Sequence, residues 1–190
     1  MPDHAASGND RPGNRLRPFI WSAACLLLLL PAVAMQFTRE VQWTTLDFVV
    51  MGAMLATACA LYELGTWLSD QFAYRVGFGL ATATGFLTVW VTLAVGMLGD
   101  ETDAINLMFA AVLCVAAAGA VFARFRARGM AHAMFATAVA QVLAVGVALP
   151  MGFASLELAL TAMFALPWLA SGLLFRLAAR RRETSGTASA

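Results

Sequence analysis

Most of this chain is apolar, and a handful of polar side chains within or beside the apolar blocks could do chemistry: Glu63, Arg75, His132, Gln141, Asp47 and Asn106. Glu63 lies about one turn inside the end of the second block, where a carboxylate is costly unless it is paired or reaches water. Two roles meet that cost. Arg75 is the obvious partner for an ion pair; alternatively, Glu63 takes up and releases a proton near His132, a default role for intramembrane ionisable groups. Gln141, near the middle of the fifth block, fits an interhelical hydrogen bond ahead of a substrate contact. Asn106, at the start of the fourth, reads most simply as a capping or interfacial residue.

Asp47 belongs to a second group. Glu40, Asp47, Asp100, Glu101, Asp103 and Glu157 collect at the end of the blocks opposite most of the arginines. A cation-binding rim is one reading. Helix capping is the other, because blocks two, four and six all begin at that end and carboxylates are favoured at helix N-termini. Thr44-Thr45-Leu46-Asp47 has the spacing of a capping box just before an apolar run, and Thr102-Asp103 and Ser155 with Glu157 can serve the other two starts.

No constellation of catalytic type is present. G-x-S-x-G, a phosphate-binding glycine loop and H-E-x-x-H are all missing, and no cysteine and histidine stand at nucleophile or metal spacing. Asp47 and Glu63 lie about 24 Å apart along one helix axis and cannot share a site. Neither an enzymatic activity nor a metal site is expected. His132 is the only histidine near the apolar blocks, which removes two-histidine haem ligation within one chain; histidine-methionine ligation stays open without a favoured pair, and no cofactor is expected.

The elements that must position these residues are membrane helices. Of 190 residues, 61% are apolar and 12% charged, about half the charged fraction of an average soluble domain. Six blocks, at about 18–37, 47–68, 76–98, 104–123, 130–149 and 156–175, each reach the about 20 residues that a spanning helix needs. The expected fold is an all-α membrane protein, a compact bundle of six transmembrane helices over 18–177. A flexible polar tail, 1–17, precedes it, and a basic then polar tail, 178–190, follows. Short connections make consecutive helices antiparallel neighbours.

Arginine sets the expected orientation. Arg11, Arg15 and Arg17, then Arg75, then Arg124, Arg126 and Arg128, then Arg176, Arg180, Arg181 and Arg182 all fall on one side of six spans, and only Arg39 on the other. Positive charge is retained in cytoplasmic loops, so both termini should be cytoplasmic in a bacterial inner membrane. A net charge of +1 without lysine leaves no basic face for nucleic acid. The first block also has the features of a secretory signal with Ala32-Val33-Ala34 as its cleavage site, but the apolar run continues through Phe37, which favours a retained helix. Cys25, Cys59 and Cys114 lie inside apolar blocks, where thiols behave as small hydrophobes.

Helix three is the expected central element. Gly77, Ala81 and Gly85 repeat at four-residue spacing and allow a close neighbour, and Thr84, Thr88 and Thr92 form an adjacent hydroxyl row. Trp21, Trp43 and Trp67 fall at expected interfaces, whereas Trp90 and Trp168 lie inside helices and need partners for their indole N–H groups.

The stretch LLLLLPAVAMQF, then Val41-Gln42-Trp43-Thr44, Asp47-Phe48, Tyr62-Glu63-Leu64, Tyr74-Arg75 and Trp90, resembles a family of small bacterial inner-membrane proteins without an assigned activity. Leu93-Ala94-Val95-Gly96, Glu101, Asn106-Leu107-Met108, Ala123-Arg124-Phe125-Arg126 and Gly129-Met130-Ala131 extend the likeness over residues 26–141. The resemblance implies that helix one is kept and that Asp47, Glu63, Arg75 and Asn106 are part of the family pattern. It implies no activity.

Two functional classes follow. The favoured one is a non-catalytic packing, accessory or assembly component, whose partners are the lipid bilayer and either further copies of the chain or a larger membrane assembly. The other is a small solute or proton-coupled transporter using Glu63 and neighbouring polar residues, for which Pro31 and Pro167 supply only kinks and no span shows a central Gly-Pro interruption.

Overall fold

The computed structural model describes residues 17–100 and 102–187, with side-chain surroundings through Arg181. Residues 1–16, including Arg11 and Arg15 of the expected tail, and Glu101 lie outside the described residues. Among the described residues, seven α-helices occur in the order α1 (Arg17–Phe37), α2 (Thr45–Leu68), α3 (Phe72–Ala94), α4 (Leu107–Phe122), α5 (Ala127–Ala148), α6 (Ser155–Met163) and α7 (Ala165–Thr187). Short 3-10 turns, Ala104–Asn106 and Leu149–Met151, precede α4 and follow α5. Taking α6 and α7 as one broken span, the described residues contain six helices long and apolar enough to cross a membrane and no β-sheet. The protein is a multi-pass, all-helical membrane protein.

By compactness the chain divides into Met1–Cys59 and Ala60–Ala190. In the first unit, α1 buries only Pro31, while Leu26, Leu27, Leu29, Leu30 and Val33 are exposed. Hydrocarbon solvates such a surface at no cost, and the helix satisfies its own backbone. The start of α2 is fixed locally. Asp47 Oδ2 accepts from the Thr44 N–H at 2.7 Å and the Thr44 hydroxyl at 2.8 Å, and the Asp47 N–H reaches the Thr44 hydroxyl oxygen at 3.4 Å. Trp43 and Phe48, which flank this capping box, meet edge to face at 5.2 Å, as a hydrophobic staple requires.

In the second unit α5 is the most enclosed helix, packed against α4 and α7, while α3 packs against α7. The expectation that α3 is central therefore shifts to α5, whose alanine-rich sequence lets neighbours approach on two sides. The glycine-alanine row of α3 does pack: Gly77 faces Ser171, Leu174 and Phe175, Ala81 joins the core, and Gly85 faces Leu113 and Trp168. A Ser171 hydroxyl donating to the Gly77 carbonyl at 2.8 Å ties α7 to α3. Two apolar clusters fill the unit, one around Tyr74, Phe78, Met134, Trp168 and Phe175, the other around Leu98, Phe109, Val112 and Ala148.

Among the boundaries that depart from the hydropathy blocks, three have a readable cause. Helix α3 ends at Ala94 instead of continuing to 98, because the chain turns at Gly96 with φ +78°, and Leu98 is buried within the turn. The sixth block is broken at Phe164: Pro167 lacks the N–H that would bond the Met163 carbonyl, and its ring crowds that group. Helix α7 runs on to Thr187, past the expected end at 175, with Ala178 fully buried. Its last turns are polar yet helical, since Ala and Arg are good helix formers.

The turn between α4 and α5 places two non-glycine residues, Arg124 (φ 49°) and Phe125 (φ 56°), in the left-handed region. Such residues cost about 1–3 kcal/mol each and need external support. Tyr74 supplies it, its hydroxyl donating to the Phe125 carbonyl at 2.7 Å. Tyr74→Phe should lower the denaturation midpoint in detergent by the equivalent of about 1 kcal/mol, the net worth of one such bond. An unchanged midpoint would show that the turn holds itself.

Candidate functional site

A chain of buried polar contacts runs from the α3–α4 turn into the bundle. Asn106, 4% exposed, accepts from the N–H groups of Met97 at 2.9 Å and Leu98 at 3.1 Å through Oδ1. Its Nδ2 donates to the carbonyls of Leu98 at 3.3 Å and Asp100 at 2.8 Å. One side chain thus meets four backbone groups of the turn that follows α3. From the same turn, the Met97 carbonyl accepts from the Thr161 hydroxyl of α6 at 2.8 Å. The Thr161 carbonyl accepts from Gln141 Nε2 of α5 at 3.0 Å, and also from the Phe164 N–H at 3.3 Å where the span is broken.

Gln141 is fully buried, and its Oε1 has no hydrogen-bond partner. The break at Phe164 comes about 13 Å into the sixth span, close to the middle of a hydrocarbon core about 30 Å thick. An unmet carbonyl at that depth is an acceptor waiting for a donor. Thr92 Oγ1 of α3 and the Trp168 indole N–H of α7 are likewise buried without partners. By contrast Thr84 and Thr88 bond the carbonyls of Leu80 and Thr84, one turn back, and Thr137 does the same to Ala133. The expected α3 hydroxyl row is therefore spent on its own helix except at Thr92.

The other sequence-derived candidates lie elsewhere. Arg75 pairs with Asp70 at 2.8 Å, and also donates to the Ser69 carbonyl at 2.8 Å and the Thr66 carbonyl at 3.2 Å. A cation on the last carbonyls of α2 complements its negative end. The Asp70 side chain is fully exposed, so that ion pair adds little. Glu63 is half-buried on α2, one turn before Thr66, whose hydroxyl donates to its carbonyl at 2.8 Å. Asp47 sits in the capping box of the first unit. His132 is exposed on α5, in a groove shared with arginines of α7 that does not include Glu63. Asn106 and Gln141 are thus linked through Met97 and Thr161, whereas Asp47 and His132 stand outside that chain.

Sequence reasoning missed Thr161 and Asp70. Asp70 had a readable signal, standing five residues from Arg75 in a short loop. Thr161 had none, because a lone threonine in an apolar block ordinarily bonds its own helix. No group of three or more His, Cys, Asp or Glu side chains that could hold a metal occurs among the described residues. Cys25 and Cys114 are exposed and Cys59 is buried, and none of the three is in a disulfide.

Compared with protein-family models, curated proteins and solved structures, the chain finds no match. The resemblance read from its sequence gains no family from these comparisons, and function has to be argued from its own residues.

Proposed function

We propose that this protein is a small transporter of the bacterial inner membrane, with both termini cytoplasmic. In this reading the polar chain from Asn106 to Gln141 is part of a solute path, and Glu63 is the protonatable group coupled to it. The observation that carries the reading is the buried Gln141 amide at the break of the sixth span, bonded on one side to the Thr161 carbonyl and unmet on the other. Transporters place their sites near the midplane at broken helices, where half-helix ends offer backbone groups to a solute. A packing role accounts for the small-residue faces but leaves that acceptor uncompensated, a cost of about 1–3 kcal/mol. Glu63 enters the proposal because it is a half-buried carboxylate inside a span, and such residues are by default candidates for proton relay.

Cysteine accessibility tests the path. With Cys25, Cys59 and Cys114 replaced by Ala, Gln141→Cys in oriented proteoliposomes should react with a membrane-impermeant thiol reagent added to the side that bears Asn106. Val142→Cys, which points outward into lipid, should not react. An inert Gln141→Cys removes the solute path. In the same vesicles under an imposed potential, Glu63→Gln should abolish the proton movement of the unsubstituted protein without lowering its unfolding temperature. If both variants conduct equally, Glu63 is not the coupling group.

A further inference from the structure

The groove that holds His132 has a different chemistry from the Gln141 region. It lies between the start of α5 and the last part of α7, encloses about 390 Å³, and is lined by Arg128, His132, Arg176 and Arg180 over Phe135 and Ala179. Arg128 and His132 are four residues apart on α5, as Arg176 and Arg180 are on α7, so each pair shares one helix face. Among the described residues the lining contains three guanidinium groups and no Asp or Glu. Three cationic side chains on two packed helices make the potential of the groove positive. The positive end of the α5 dipole acts in the same direction.

The floor narrows the choice of anion. Phe135 rests directly on Gly172, where a Cβ would come within 2.7 Å of its ring, so an aromatic face is held at the base of the groove. Leu173 and Leu177 of α7 and Ala136 and Val139 of α5 are exposed around it. Guanidinium forks match the oxygens of a phosphate, and the apolar surface beside them matches acyl chains. We infer that this groove binds the phosphodiester headgroup of an anionic phospholipid, with the acyl chains laid along the α5–α7 face. A free phosphate would use the arginines and leave the apolar floor idle. The site is independent of the proposed solute path and stands or falls apart from it.

Native mass spectrometry and thermal unfolding of the full chain in neutral detergent test this, with phosphatidylglycerol, phosphatidylcholine and inorganic phosphate as separate probes. Phosphatidylglycerol should be retained and should raise the unfolding temperature, and the other two should do neither. Arg176→Gln with Arg180→Gln should weaken phosphatidylglycerol retention about tenfold or more, given the usual worth of each basic residue near an anionic headgroup. The same charge loss at Arg124→Gln with Arg126→Gln, outside the groove, should change it less than twofold. Should the α7 pair fail to fold, Arg128→Gln and the groove-filling Ala179→Phe address the same site from α5 and from its floor. Equal weakening by both arginine pairs would reduce the effect to general surface charge and overturn the site. Binding of inorganic phosphate with no preference for phosphatidylglycerol would overturn the lipid and leave a phosphate site.

Discussion

Asn106→Ala should destabilise the folded protein by about 3 kcal/mol, measured by denaturant unfolding in mild detergent with tryptophan fluorescence as the signal. The side chain serves four backbone groups of one turn, the N–H groups of Met97 and Leu98 and the carbonyls of Leu98 and Asp100. Each buried group left unmet costs about 1–3 kcal/mol, but Asp100 is exposed and regains water, so the four losses do not add in full. Thr161→Val is the control. It deletes only the hydroxyl that donates to the Met97 carbonyl, with little change of shape, and should cost about 1 kcal/mol. If Asn106→Ala costs no more than Thr161→Val, the turn is held by its glycines and by the burial of Leu98, and Asn106 is incidental.

The second large effect is expected at Gly119. A Cβ at this position of α4 would stand 2.7 Å from the Ala133 Cβ and 3.3 Å from its Cα, both fixed to the α5 backbone. No flexible side chain can yield there. Gly119→Leu should therefore force the two helices apart and cost about 3 kcal/mol, the upper part of the range for overpacking a core. Gly146→Ala on α5 provides the opposite case, since nothing lies within 4 Å of its Cβ position. It should be neutral or stabilising by up to about 1 kcal/mol through helix propensity. Unchanged or raised stability in Gly119→Leu would mean that helix propensity, and not the α4–α5 contact, sets the response.

The Gly119 and Gly146 substitutions lie outside the proposed path, whereas Asn106 and Thr161 belong to it, so only the glycine pair reads stability alone. Loss of proton movement in Glu63→Gln with an unchanged unfolding temperature would place that carboxylate on the functional side. Loss of both would place it among the groups that hold α2.

The sequence by itself determined the solvent and the scaffold. Six long apolar blocks, with arginines at alternate junctions, leave only a multi-pass helical protein, because hydrocarbon admits no backbone that fails to bond itself. The capping box at Thr44 and Asp47 was equally legible, being a contact among residues three apart. Tertiary structure decided the rest. The break at Phe164 was visible only as a proline able to kink the span, because whether a helix bends or stops depends on the neighbour that bonds its loosened carbonyls, here Gln141. Thr161 and Asn106 acquired their roles from a turn between other helices, and the arginines of α5 and α7 became one groove only when those helices packed. Hydropathy reports how each segment partitions between water and lipid. It says nothing of which polar groups face each other once every segment has made the same choice.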